Sequence, residues 1–397
     1  MSDPSAEGLL ALLPRLREIR HDLHQHPELG FEEHRTQGIV GAWLREHGYQ
    51  PRDCAGTGLV ADLHPQADPD APCIALRADL DCLPMHEATD LPYRSVHEGR
   101  AHKCGHDGHT AILMGVAARL AAQRERLAGN VRLLFQPAEE GVRGGGARVM
   151  VAEGALAGVA EVYGLHNWPS FPRGHVRVRS GAMMADARRL EIVVHGTGGH
   201  ASEPERCRDP IVAAAHLVVA LQTVVSRGVG SHGGAVVSIC RVAAGDAHNV
   251  IPDRAELWGT VRTFDPAVTE RVLERIEEVA TGIAAAFGVR VELLPPEGYP
   301  LLVNAPRCAD AVRRVAERVV GPSRVGDEGL PLGAGEDFAY LAQAVPGAYF
   351  FLGAGDPAGT TPGCHHPDFD FDDELIPLGI EMFLGLVDDR LRELSAQ

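Results

Sequence analysis

The stretch CIALRADLD, residues 73–81, is an almost continuous apolar run that ends in two aspartates. Three further apolar runs of strand length stand at 58–63, 130–136 and 161–166. Patterns with helical spacing stand at 9–23, 34–47, 108–126 and 145–154. Apolar strands separated by helices are typical of a mostly parallel sheet with both faces covered. The sequence therefore predicts an α/β fold.

The pattern changes near residue 187. A strand (RRLEIVVHG), a long helix (209–227), two strands joined through AGDAHNVIPD, a second helix (266–287) and the strand VRVELLP follow one another. This β-α-β-β-α-β order is that of a ferredoxin-like α+β domain. After about residue 300 the alternation resumes, with a strand at 347–355 and a closing helix. We predict one domain formed by 1–185 and 299–397, with the domain 186–298 inserted into it.

Composition narrows the class of protein. The 397 residues are 45% hydrophobic, which supports two domains. The net charge of −17 argues against nucleic acid or an anionic membrane as partner. Eight scattered cysteines without a CxxC pair suit a reducing compartment. Since we find neither a signal peptide nor an apolar stretch of membrane-spanning length, we expect a soluble, cytoplasmic protein.

Five polar clusters stand at the ends of predicted strands or just before predicted helices. They are Asp79 with Asp81, Cys104 with His106, Glu139 with Glu140, His166, and His365 with His366. In open α/β sheets, ligands bind beyond the carboxyl ends of the strands. Five clusters at corresponding positions are hard to obtain by accident, so we expect them to form one site.

Each cluster taken alone has a simpler explanation. A single histidine at a strand end is usually a loop residue, and Cys104 alone is more often a small buried apolar side chain. Glu139 and Glu140, however, follow an apolar strand, where two unpaired carboxylates would repel each other. A divalent cation removes that conflict. These donors suit zinc, manganese, cobalt or nickel, and the sequence does not choose among them.

Two adjacent carboxylates indicate hydrolytic chemistry, because one can bind metal while the other takes a proton from an activated water. Redox chemistry is disfavoured by the lack of a CxxC, haem or dinucleotide motif. The glycine-rich GVRGGGA at 141–147 is not a GxGxxG motif directly after a strand. We also find no GxSxG motif of a serine hydrolase.

Nine motifs in this order resemble a known family: RHDLHQHPELGFEE, RADLDCLPM, HKCGHDGHTA, QPAEEG, GLHNWP, GGHASEP, NVIPDRAELWGTVRTF, AGEDFAYL and HHPDFDFDDE. The family is that of the aminoacylase/carboxypeptidase dinuclear metallohydrolases, and the branch that includes hippurate hydrolases and N-acyl-amino-acid or auxin-conjugate amidohydrolases is the most similar. The resemblance covers nearly the whole chain. It implies a zinc-exopeptidase-like (phosphorylase/hydrolase-like) catalytic domain with an inserted ferredoxin-like lid and dimerisation domain.

The resemblance also implies residue roles. The positions that match the ligands of two divalent metal ions per subunit are Cys104, His106, Glu140, His166 and His365. Glu139 matches the general base. Other branches carry His-x-Asp where this chain has Asp79-Leu80-Asp81, so Asp81 matches an orienting aspartate, Asp79 is left without a role, and His366 is expected to be structural.

In the inserted domain, the resemblance implies that His200 polarises the scissile carbonyl, often across a dimer formed through this domain. Asn249 and Arg262 match positions that could hold the carboxylate of the substrate, since arginine offers bidentate recognition. The alternative is that Asn249 and Arg262 only brace the hairpin of the inserted domain.

The sequence therefore predicts a metal-dependent amidohydrolase that cleaves N-acyl amino acids, acting as a homodimer on a small molecule. One alternative is a dipeptidase or carboxypeptidase with the same site. Another is a non-catalytic protein that binds metal or a metabolite, although such a protein has no need for a base at Glu139. The acyl group, the amino acid and the metal stay open.

Overall fold

The computed structural model describes residues 4–64, 71–141, 144–230 and 233–396. Its α-helices are α1 (Pro4–Gln25), α2 (His34–Glu46), α3 (His106–Ala122), α4 (Gly146–Ala152), α5 (Pro210–Gly228), α6 (Pro266–Phe287), α7 (Pro306–Val320), α8 (Phe338–Ala344) and α9 (Leu375–Ser395). The strands up to residue 184 are β1 (Arg52–Cys54), β2 (Gly58–Leu63), β3 (Cys73–Asp79), β4 (Asn130–Gln136), β5 (Glu161–Pro172), β6 (Val176–Arg177) and β7 (Gly181–Met184). The later strands are β8 (Asp186–His195), β9 (Gly199–His200), β10 (Ala235–Ala244), β11 (Val250–Ile251), β12 (Arg254–Thr263), β13 (Arg290–Leu293), β14 (Gly298–Tyr299), β15 (Leu302–Asn304), β16 (Val325–Gly326) and β17 (Gly347–Gly355).

The chain divides into two compact units. The first comprises Met1–Met183, Val303–Leu330 and Asp337–Gln397, and the second comprises Met184–Leu302 and Pro331–Glu336. The return of six residues, Pro331–Glu336, to the second unit is a feature that the sequence pattern did not indicate.

An eight-stranded sheet forms the centre of the first unit, in the order β1-β2-β4-β3-β5-β17-β6-β16. The four central strands β4, β3, β5 and β17 run parallel, and β1 and β2 pair antiparallel with their neighbours. Strand β6 pairs antiparallel with β17 and parallel with β16. All seven residues of β3 are buried, as expected for a strand covered on both faces. The α/β prediction is confirmed, with the refinement that the sheet is mixed at its edges.

Strand β5 is longer than the sequence pattern indicated. It pairs with β17 from Val162 to Pro172, whereas its pairing with β3 stops at Arg77–Gly164. His166 therefore lies inside β5 and not at its end, which corrects the prediction. Because the pairing between β3 and β5 has already stopped at Gly164, His166 still lies beyond the part of the sheet that these two strands share.

The second unit contains an antiparallel sheet in the order β10-β12-β8-β13, with α5 and α6 packed against it. Both helices begin in the same way, with an aspartate before a proline. Asp209 accepts hydrogen bonds from the N–H groups of Ile211 and Val212, and Asp265 does the same for its own helix. An N-cap acceptor followed by proline is a strong start signal for a helix.

Helix α5 corrects one expectation from the sequence. By length and composition it is apolar enough to cross a membrane, with a mean hydropathy of 1.5 over its 18-residue window. In this structure one face of α5, including Leu217 and Leu221, is buried in the core of the second unit. Its other face exposes Ile211, Val212 and Val219.

Candidate metal centre

Polar side chains from five segments of the first unit meet at the carboxyl end of the central strands. Three of the sets whose potential ligand atoms lie within 4.8 Å of one another consist only of predicted ligands and the predicted base: Cys104 with His106 and His166, Cys104 with Glu140 and His365, and His106 with Glu139 and Glu140. Sγ of Cys104 lies 3.2 Å from Nε2 of His166, and Nε2 of His365 lies 3.2 Å from Oε1 of Glu140. The structure therefore brings together all five predicted ligands and the predicted base.

Nε2 of His106 stands at the middle of this group. It lies 4.0 Å from Oε2 of Glu139 and 3.9 Å from Oε1 of Glu140. The atom is buried and has no hydrogen-bond partner among the described residues. A buried nitrogen without a partner is costly unless something binds it. Imidazole, thiolate and carboxylate donors at this spacing fit a divalent transition-metal ion.

Asp81 orients two members of the group. Nδ1 of His106 lies 2.9 Å from the backbone carbonyl of Asp81 and 3.3 Å from its Oδ1. Oδ2 of Asp81 accepts the N–H of Glu140 at 2.8 Å. Because Nδ1 is occupied, Nε2 of His106 is the nitrogen left for a metal ion, as is usual for metal-binding histidines.

Asp79 lies between the candidate ligand His106 and the residues His109 and Arg77, with its Oδ2 3.7 Å from Nε2 of His106. Its Oδ1 lies 2.7 Å from Nδ1 of His109, and its Oδ2 accepts from Nη1 of Arg77 at 2.7 Å. His109 in turn contacts Oδ1 of Asn167 through Nε2 at 2.7 Å. This buried chain supports β5 next to His166.

Gly105 allows Cys104 and His106 to lie side by side. Its φ of +106° is in the left-handed region, and a Cβ there would meet Oδ1 of Asn167 at 2.1 Å. Residues other than glycine rarely adopt that conformation. The glycine is therefore needed both for the turn that enters α3 and for the close approach to β5.

Carboxylates dominate the electrostatics of the site. Burial alone would lower the pKa of His106, but Asp79, Asp81 and Glu140 raise it to about 10. Contact with Cys364, followed by burial and Glu140, raises the pKa of the Cys104 thiol. A bound cation reverses both shifts, because it favours the deprotonated forms of its ligands.

A buried lysine joins the two loops that carry Cys104 and His365. Nζ of Lys103 donates to Glu87 Oε1 and to the carbonyl of Phe369, both at 2.7 Å. The carbonyl of Lys103 accepts the N–H of His365 at 2.7 Å. His365 itself is a non-glycine residue with a φ of +67°, so these contacts hold it in an uncommon backbone conformation.

A family model places the chain among known proteins. The model of peptidase family M20/M25/M40 matches residues 75–389. The chain belongs to this family. It is 41% identical over 374 residues to N-acetylcysteine deacetylase of Bacillus subtilis, a match that spans 94% of this chain and 96% of that protein. It is 40% identical over 347 residues to hippurate hydrolase of Campylobacter jejuni, spanning 87% and 89% of the two chains.

A solved structure supports the same family assignment. The YXEP protein of Bacillus subtilis, described as a dinuclear metal binding peptidase from the M20 family, matches with a TM-score of 0.82 and 37% identity. The match covers 96% of this chain and 99% of that chain. The predicted family is therefore confirmed, and this M20/M25/M40 protein is a metal-dependent hydrolase of amide bonds.

The three other predicted site residues of this M20/M25/M40 hydrolase lie in the second unit. His200 on β9 pairs with Val250 on β11, and the carbonyl of Asn249 accepts the N–H of Ala201, so His200 and Asn249 are neighbours. Nδ1 of His200 is engaged by Ser202, whose hydroxyl lies 2.7 Å away.

Arg262 is engaged within the second unit. Its guanidinium donates to the carbonyls of Gly333 and Val261, each at 3.0 Å, and to the hydroxyl of Thr260. Burial lowers the pKa of Arg262. Bracing would use contacts of this kind, and the role of Arg262 in substrate binding stays a prediction.

Sequence reasoning missed several residues that support the site. His109 stands three residues after His106, so helical spacing could have placed both on adjacent positions of α3. Arg20 and His24 lie in the motif RHDLHQHPELGFEE, and both contact Oδ2 of the buried Asp107. The available signal for Arg20 and His24 was their spacing of four residues among the apolar residues of the first predicted helix, which places both on one face of that helix.

Proposed function

We propose that this enzyme hydrolyses the amide bond of N-acyl-L-amino acids to release a carboxylic acid and a free amino acid. The observation that carries the proposal is the position of Glu139. This carboxylate is 7% exposed and lies beside the His106–Glu140 pair, where a general base is required. The relatives named N-acetylcysteine deacetylase and hippurate hydrolase support the acyl amino acid class.

Cys104, His106, Glu140, His166 and His365 would hold two divalent metal ions. When bound, such ions lower the pKa of water and polarise a carbonyl oxygen. The proton transfers are carried out by a side chain of the protein. Glu139 takes a proton from the attacking water and passes it to the nitrogen of the leaving amine, which explains why a second carboxylate stands beside the ligand Glu140.

In the second unit, His200, Asn249 and Arg262 stay predicted substrate contacts. We propose His200 for the developing oxyanion, and Asn249 with Arg262 for the carboxylate of the amino acid. His200 can donate from Nε2, because Nδ1 accepts from Ser202. The role of Arg262 requires a test that separates binding from bracing.

We further propose a homodimer formed through the second unit. Strand β10 is the edge of its sheet and exposes Val236 and Val242, which are 47% and 54% exposed. The neighbouring helix α5 exposes Val219 at 71%. An unpaired strand edge is the feature by which a second copy adds to a sheet. Val242→Lys is expected to give monomers in light scattering, and an unchanged mass would refute this surface as the dimer interface.

The deciding experiment measures amine release by metal-loaded enzyme from hippurate, N-acetyl amino acids and simple dipeptides, with a chelator-treated control. Chelator-sensitive release from the acyl amino acids supports the proposal. Release from dipeptides alone assigns a dipeptidase or carboxypeptidase, the second candidate, which the peptidase description of the YXEP protein favours. Release from none of them contradicts both.

A matched pair of variants tests the division of labour between the two glutamates. Glu139→Gln is expected to abolish turnover while the metal content stays at the wild-type level. Glu140→Gln is expected to lower the metal content itself. Near-normal turnover of Glu139→Gln would refute the assignment of the base, and it would favour a different proton acceptor.

A further inference from the structure

We propose that Glu33 is a positioning residue that fixes the backbone of the turn 137–140 and thereby aims the carboxylate of Glu139. The inference rests on the proposed function, since it takes Glu139 as the base. Glu33 lies outside the group of candidate ligands and belongs to a different segment of the chain, immediately before α2.

The side chain of Glu33 is turned away from its own helix. It occupies the N-cap position of α2 yet makes no capping hydrogen bond, and the residue is fully buried. Oε1 accepts the N–H of Ala138 at 2.8 Å, and Oε2 accepts the hydroxyl of Thr57. Burial of a carboxylate costs free energy, so we expect its contact with this turn to have a structural role that offsets the cost.

The turn that Glu33 holds is strained. Ala138 is fully buried and has a φ of +52°, which a non-glycine residue adopts only when its surroundings impose it. Its N–H is bound by Glu33, and its carbonyl accepts the N–H of Gly146 at 2.9 Å. Both polar groups of Ala138 are thus tied to other segments.

A second carboxylate holds the other side of Glu139. Oδ2 of Asp81 accepts the N–H of Glu140 at 2.8 Å. The backbone N–H groups on both sides of Glu139 are therefore bound to buried acidic side chains. Burial and the nearby Asp81 raise the pKa of Glu33 to about 7, while the bond from Thr57 opposes the rise. Both hydrogen bonds of Glu33 use its oxygens as acceptors, so the reach of an oxygen to the N–H of Ala138 is the property that the turn requires.

Two substitutions separate length from charge. Glu33→Gln keeps an acceptor oxygen at the same reach, and we expect its kcat to stay close to that of the wild type. Glu33→Asp keeps the charge but withdraws the oxygen from Ala138, and we expect kcat to fall by about 10- to 100-fold with the metal content unchanged. Glu28→Asp is the matched control, because Glu28 accepts from the N–H groups of Arg35 and Thr36 in α2 and does not touch the turn.

A rescue experiment tests whether Glu33 acts on Glu139 through the backbone of the turn 137–140. Glycine adopts positive φ without strain, so Ala138→Gly is expected to restore part of the kcat that Glu33→Asp loses. It is expected to restore nothing in a Glu139→Gln background, since the base itself is then missing. Equal losses in Glu33→Gln and Glu33→Asp, or a loss of kcat that follows metal content, would overturn the proposal.

Amide hydrogen exchange supplies a readout that does not depend on activity. Exchange of the 135–141 segment is expected to accelerate in Glu33→Asp and to stay unchanged in Glu33→Gln and Glu28→Asp. Unchanged exchange in all three variants would overturn the role of Glu33. If the wild-type enzyme cleaves none of the substrates, the proposed function fails, and exchange at this segment still decides whether Glu33 holds the turn.

Discussion

His24 couples two buried carboxylates and makes the stability of the protein depend on pH. Its side chain is fully buried, with Nδ1 2.9 Å from Oδ2 of Asp107 and Nε2 3.0 Å from Oε1 of Glu87. Burial alone would lower the pKa of His24, but the bonds to Asp107 and Glu87 outweigh it and raise the pKa to about 9. The imidazolium is thus more stable in the folded chain than in the unfolded one.

The size and sign of the pH effect on folding stability follow from this shift in the pKa of His24. Between the ordinary value of 6.5 and about 9, the difference corresponds to about 3 kcal/mol of stability. Because the folded pKa is the higher one, the stabilisation is complete below about pH 6.5. It is lost as the pH rises through about 9.

The assay is urea denaturation of the wild type and of His24→Gln at several pH values from 6 to about 10. Taking the difference in unfolding free energy between the two proteins at each pH cancels the contributions of the other titrating groups, because these groups are common to both proteins. We expect that difference to shrink by about 3 kcal/mol across the range. A difference that stays constant, or one that grows with pH, would refute the reasoning.

Three further predictions concern the site. Cys104→Ala is expected to lower the bound metal measured by elemental analysis, and full occupancy would exclude Cys104 as a ligand. Gly105→Ala is expected to displace Asn167 and lower both metal content and kcat, whereas Gly99→Ala, which also has positive φ but open space around it, should affect stability alone. Arg262→Met should raise KM at constant melting temperature if Arg262 binds the substrate, and it should lower the melting temperature at constant KM if Arg262 only braces the second unit.

Strands that are buried on both faces could be predicted well from the sequence. The apolar runs at 58–63 and 130–136 coincide with β2 and β4, because their hydrophobic character is itself the cause of their burial. The place of His166 could not be predicted in the same way. Its strand continues because β17, far along the chain, pairs with it up to Pro172.

The candidate ligands could be predicted because metal donors are chemically distinctive, and the residues that support them could not. His109 is one histidine among twenty until Asp79 and Asn167 approach it from two strands. Glu33 binds a backbone N–H that lies 105 residues away, at Ala138. A carboxylate that binds a backbone N–H leaves no complementary residue type in the sequence to reveal the contact.

Lys103 is the only lysine in the chain, and its side chain is fully buried between Glu87 and Phe369. Amine-reactive reagents therefore meet no lysine on the surface of the folded protein. Acylation of Lys103 requires that its Nζ leave Glu87 and the carbonyl of Phe369 and reach solvent. The rate at which this one lysine becomes labelled thus reports how often the segments that carry Cys104 and His365 separate, without any engineered probe.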